Sequence, residues 1–125
     1  MGVFSKFGLG LVAVTAVLAS ASVARADNEA GEKAYKKYCA ACHTTEAGKN
    51  RVGPSLAGII GRTAGSVSAF AYSAANKDSG MVWTEDKLDA YLADPKAAMP
   101  GNKMTFAGIK DAAERAAVVA YLKTK

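Results

Sequence analysis

Cys39-Ala40-Ala41-Cys42-His43 is the stretch on which the reading of this chain turns. Side chains three residues apart share a face of a helix. Two thiols so placed reach the two vinyl groups on adjacent pyrroles of a haem and form thioethers. His43, next in the chain, is then directed beneath the iron as the proximal ligand. Cys-x-x-Cys-His therefore reads as covalent c-type haem attachment. Other uses of the motif fit less well. A dithiol/disulfide redox pair expects a βαβ setting, and the sequence presents none. A structural zinc ion takes four ligands, and Cys39, Cys42 and His43 are the only Cys and His present. A local disulfide is the remaining alternative.

Around this motif lie 125 residues, half of them apolar, which is one domain at most. Charged residues at 22% and three Pro exclude a disordered or collagen-like chain. Two Cys exclude a disulfide-stapled mini-protein, and one His excludes a Ser/His/Asp site that does without His43. The formal charge is +5, and +3 once Lys6 and Arg25 are left out with residues 1–26 (14 basic against 11 acidic residues). It is too mild to argue for nucleic acid, and no basic-aromatic stripe accompanies it. It suffices to bias docking toward acidic partners.

The first residues read as an address. Lys6 is followed by an uncharged stretch over 7–24, most apolar from Leu9 to Leu18, and then by Ala24-Arg25-Ala26, a small-x-small cleavage site. Residues 1–26 are expected to be a cleavable signal peptide and 27–125 the mature domain. The rival is an uncleaved membrane anchor. The uncharged stretch is at the lower limit for a span, and Gly8, Gly10, Thr15, Ser20 and Ser22 weaken it. Export also permits disulfides.

In the mature chain, residues 28–41 read as a helix, with Asp27 or Asn28 as cap and Glu29 and Glu32 at its positive end. Residues 44–72 carry Gly48, Gly53, Pro54, Gly58, Gly61 and Gly65. So long an irregular segment needs something to wrap around. Residues 73–78 suit a short helix closed by Gly80. Thr84 caps another, with Leu88, Tyr91 and Leu92 inward, and Asp94-Pro95 ends it. Residues 96–110 read as a second loop. The last helix starts near Asp111, where Asp111 and Glu114 resemble a capping box. The fold class is all-α: three to four short helices, long loops and no clear strand. That core is undersized for its length, and a large apolar cofactor resolves the deficit.

A haem iron in an electron-transfer protein needs a second axial group, and without a second His a thioether is the natural candidate. Met81, beside Val82-Trp83, looks like core. Met99 and Met104 lie in one loop, and local reasoning hardly separates them.

Longer motifs follow. They include Gly53-Pro54-Ser55-Leu56, Gly61-Arg62-Thr63, Tyr72-Ser73-Ala74-Ala75-Asn76-Lys77, Trp83, Tyr91-Leu92 and Pro100-Gly101-Asn102-Lys103-Met104-Thr105-Phe106. With Glu114-Arg115 and Ala120-Tyr121-Leu122-Lys123, these make the chain similar to class I cytochromes c, both bacterial cytochrome c2 or c-550 and mitochondrial cytochrome c. The likeness covers nearly all of the mature chain from about Gly31. It implies a small class I fold around one haem c, held through Cys39 and Cys42, with His43 and Met104 as axial ligands. It implies that Pro54 accepts a hydrogen bond from the second nitrogen of His43. Tyr72 and Trp83 are expected to donate to a haem propionate beside Arg62, with Asn76 and Tyr91 near the Met sulfur. Gly31 and Tyr35 are expected to cross the last helix near Val118 and Tyr121. There are departures from the family pattern. Asn102 stands where mitochondrial relatives usually have Thr, Ala69 precedes Phe70 where Gly is frequent, and Tyr38 replaces a common Lys before Cys39.

The function implied is a soluble periplasmic one-electron carrier, not an enzyme. It would be a monomer without stable membrane insertion after cleavage. Its partners would be redox proteins with acidic docking surfaces, such as cytochrome bc1, an oxidase, a reaction centre or a dehydrogenase. Lys36, Lys96, Lys103 and Lys110 are the candidates for steering them. The rival class is a haem enzyme or sensor with an open distal site, which follows if Met104 does not ligate.

Overall fold

The computed structural model describes residues 2, 3, 8, 10 and 16–125. The expected apolar run of the leader, Leu9 to Leu18, lies mostly outside the described residues. Five helices follow in order: α1 (Ala16–Tyr38), α2 (Ala74–Asp78), α3 (Glu85–Ala93), α4 (Pro95–Ala98) and α5 (Ala112–Lys123). No helix among the described residues is long and apolar enough to cross a membrane.

The helix expected over 28–41 is longer at its start and shorter at its end. From Ala16 to Ala30 there is no Gly or Pro and Ala recurs, so nothing interrupts propagation. Asp27 and Asn28 therefore lie inside α1 and cap nothing. At the other end, Cys39 N–H and Ala40 N–H both donate to Tyr35 O, and His43 N–H donates to Cys39 O at 2.9 Å. The backbone tightens into a turn that carries the Cys-x-x-Cys-His motif just past the helix.

The expected caps at Thr84 and Asp111 form, and Ser73 caps α2 as well. Ser73 Oγ accepts from Asn76 N–H, Thr84 Oγ1 from Lys87 N–H and Asp111 Oδ1 from Glu114 N–H. The expected loop at 96–110 instead begins inside α4. Asp94 ends α3 and also caps α4, its Oδ1 accepting from Ala97 N–H at 3.2 Å. Pro95 supplies the first helical residue, where its missing N–H costs nothing.

Helix α1 crosses α5 at Gly31. A Cβ there would lie 2.6 Å from both Ala117 O and Tyr121 Cβ, so only glycine permits this approach. The Tyr35 and Tyr121 rings pack at 5.4 Å. Glu114 departs from the capping box. Its carboxylate reaches across to α1 and takes Lys37 Nζ at 2.9 Å and Tyr38 OH at 2.5 Å. Arg115 Nε donates to Asp89 Oδ1 at 2.8 Å and fastens α5 to α3. Ile109 and Val118, both fully buried, close the core beneath.

The described residues contain no strand. A single antiparallel bridge, Thr63 to Val82, pins the first long loop to the segment before α3. Gly61 N–H donates to Trp83 O and Trp83 N–H to Arg62 O. This pairing presents Trp83 to the interior.

Candidate cofactor site

The long loops enclose a cavity of about 420 Å³ between the Cys39–His43 turn and the segment after α4. All ten side chains singled out from sequence line it: Cys39, Cys42, His43, Pro54, Arg62, Tyr72, Asn76, Trp83, Tyr91 and Met104. They come from the turn after α1, both long loops, α2, the segment before α3, and α3. Folding therefore brings together residues separated by much of the chain.

The turn supplies both thiols. Cys39 is buried and Cys42 exposed. Burial pushes the Cys39 thiol up to about 11, the opposite of the lowered value that marks a redox-active thiolate. His43 follows. Its Nδ1 lies 2.7 Å from Pro54 O. A carbonyl only accepts, so Nδ1 carries the proton and Nε2 keeps its lone pair. Burial lowers the imidazole pKa, outweighing the opposing pull of Pro54, so the ring is neutral. Gly53 makes room for it. A Cβ on Gly53 would lie 2.2 Å from His43 Cε1, so any side chain there would displace the ring. Tyr35 OH donates to His43 O at 3.0 Å, and Arg51 donates to Ala40 O at 2.8 Å.

Arg62 is half-buried and donates through one guanidinium nitrogen to Ser55 O and Ala57 O. Burial lowers its pKa, and it remains cationic because an arginine starts so high. Tyr72 OH accepts from Val67 N–H at 3.1 Å and keeps its own proton to donate. The Trp83 and Tyr91 rings meet edge to face at 4.9 Å, both buried. Asn76 Oδ1 is buried with no hydrogen-bond partner in the protein. An orphaned acceptor of this kind signals a group from outside the chain.

The three methionines separate in space. Met99 is buried in the core and is not on the cavity wall, whereas Met104 is partly buried and on it. Met81 packs at the edge of the core, away from the cavity. Sequence reasoning missed Leu56, Ile59, Phe70 and Phe106 as lining residues. Their one signal was apolar character inside loops that offer no helix or sheet to bury it. Asn102, noted from sequence only as a departure from the family pattern, also lines the cavity and is buried.

The donor set fits a flat, mainly apolar group with iron at its centre. Two thiols stand on one turn, a neutral imidazole has a free Nε2, and a thioether lines the same cavity. Tetrahedral zinc does not fit, because no cluster of three or more His, Cys, Asp and Glu side chains forms among the described residues.

A family model described as Cytochrome c matches residues 28–125. The chain is 58% identical over 86 residues to cytochrome c2 iso-2 of Magnetospirillum fulvum, covering 69% of this chain and 90% of that one. Against cytochrome c2 of Blastochloris viridis it is 45% identical over 118 residues, covering 94% and 89%. Among solved structures, cytochrome cH from Methylobacterium extorquens superposes with a TM-score of 0.73 at 47% identity, covering 79% of this chain and 99% of that chain.

Proposed function

Because this chain belongs to the cytochrome c family, haem-containing electron carriers of class I with haem c attached through a Cys pair, here Cys39 and Cys42, we propose that it is an exported one-electron carrier with His43 and Met104 as axial ligands. The observation that carries this reading is the 2.7 Å bond from His43 Nδ1–H to Pro54 O, in the same cavity as both cysteines and Met104.

When bound, the haem supplies a one-electron Fe(III)/Fe(II) couple. His43 contributes Nε2, and its bond to Pro54 fixes the ring and raises its basicity. Met104 contributes a soft sulfur, which favours the lower oxidation state. Met99, held in the core off the cavity wall, does not compete with it. Apolar walls keep water out and disfavour additional positive charge. Tyr72 and Trp83 serve as donors toward a propionate, with Arg62 screening its charge. With His43 and Met104 both holding the iron, no position would be left for a substrate. Exposed Cys42 and Val52 mark the side a redox partner reaches.

A redox titration of the matured protein, with optical spectra in both states, tests this reading. The oxidised form is expected to have the weak red-end sulfur-to-iron charge-transfer band. Met104→Ala is expected to abolish it and Met99→Ala to leave it, while the reduced wild type refuses carbon monoxide at neutral pH. A band that survives Met104→Ala, or ready carbon monoxide binding, overturns the ligand set. Periplasmic location and cleavage after Ala26 belong to the same proposal. They are checked by the mass of the mature protein, expected to begin at Asp27.

A further inference from the structure

We infer that Asn102 positions Met104 for ligation by clasping its backbone to α4. This rests on the reading of Met104 as an axial ligand. Asn102 is only 5% exposed. Its Nδ2 donates to Pro95 O and to Met99 O, each at 2.8 Å. Its Oδ1 accepts from Met104 N–H at 3.0 Å. Its carbonyl accepts from Lys96 Nζ at 2.7 Å.

A carboxamide has two donors at one end and an acceptor at the other, and this site uses both ends. The donors hold the first residue of α4 and its C-cap, while the acceptor holds the backbone amide of Met104. Helix α4 is joined through Asp94 to α3, which also carries Tyr91 into the cavity. One rigid unit thus references both a wall of the cavity and the root of the thioether side chain. Beyond Met104 the backbone offers little support of its own. Phe106 N–H donates back to Met104 O, and the next anchor is Ile109 N–H on Leu92 O. A hydroxyl at position 102 has one proton to donate and so holds only one of the two carbonyls. The carboxamide reaches three at once.

The rival explanation is a buttress that stabilises the fold and leaves the sulfur untouched. Oxidised, matured wild type, Asn102→Ala and Asn102→Thr are titrated with imidazole, following loss of the sulfur-to-iron band, and each is also melted. Imidazole is expected to displace the thioether at a roughly tenfold lower concentration in Asn102→Ala, the equivalent of about one lost hydrogen bond. Asn102→Thr is expected to fall between the two. A lowered melting temperature with an unchanged imidazole midpoint leaves only the buttress and overturns the inference. Should Asn102→Ala fail to mature, Asn102→Thr and Asn102→Ser decide by the same midpoint. A wild type without the band overturns the Met104 reading, and this inference with it, so the two failures are distinguishable.

Discussion

Ala69 has φ +58, the left-handed region that L residues other than glycine avoid, and no other described non-glycine residue does so. The sequence marks the spot, since Ala69 occupies a place where glycine is frequent in the family it resembles. The sign of φ required the fold. Left-handed backbone costs an L residue about 1–2 kcal/mol, and glycine returns roughly 0.4–1 kcal/mol of that through unfolded-state entropy. Ala69 is exposed, so little packing is lost. Ala69→Gly is expected to stabilise the protein by roughly 0.5 kcal/mol, read from the denaturation midpoint; a fall in that midpoint contradicts the strain. The lysines tell a similar story. Lys36 pairs with Glu32 at 2.6 Å, while Lys96, Lys103 and Lys110 each donate to backbone carbonyls, those of Asn102, Ala71, and both Ala93 and Ala107. Three of the four steering candidates thus also hold loop backbone in place. That second role has no signature in the sequence.

The elements divide by how local their causes are. The expected caps at Thr84 and Asp111 hold because a cap and its amide are three residues apart. The start of α1 differs because neither Gly nor Pro falls between Ala16 and Ala30, and α4 was missed because Asp94-Pro95 both stops one helix and starts the next. Gly31 permits the α1–α5 crossing. Gly31→Ala gains about 1 kcal/mol in helix propensity, but its Cβ meets a backbone oxygen and a Cβ at 2.6 Å. Neither neighbour can swing away, and overpacking costs about 1–3 kcal/mol. The net expectation is a destabilised protein, measured as a lower melting temperature; an unchanged or higher one refutes the close crossing.

Glu114 ties the same two helices. Hydrogen bonds from Tyr38 and Lys37 hold its carboxyl below its ordinary 4.5. A depressed carboxyl pKa contributes stability above the unfolded value, and the contribution is lost as pH falls through the folded one. The site is exposed enough that the effect is modest. Wild type is expected to melt above Glu114→Gln at neutral pH, with the gap closing well below 4.5. A gap independent of pH rules out the carboxylate as its source.

At the scale of the molecule, the fold is a shell around its cavity. Leaving about 420 Å³ unfilled would cost about 10 kcal/mol at the rate measured for small cavities, comparable with the whole stability of a domain. A Cys39→Ala/Cys42→Ala double variant purified free of haem is therefore expected to lose most of its helical circular dichroism. Retention of native helicity and a cooperative melt contradicts a cofactor-dependent core. This dependence was legible in the sequence as too few core positions for the length of irregular chain. The shape of the cavity was not, because its walls come from loops with no periodicity to read.

The identity of the attachment motif, the helical class and the starts of α2, α3 and α5 follow from the chain alone. They rest on interactions between residues a few positions apart, where covalent geometry limits the choices. Beyond the Met104 and His43–Pro54 roles that the resemblance implied, the tertiary structure alone puts Met99 off the cavity wall, brings Phe70 and Phe106 onto it, and sends Glu114 to α1 instead of back to its own cap. Each of these outcomes depends on a partner distant in sequence or on which wall of the cavity a loop forms. Local pattern carries no record of either.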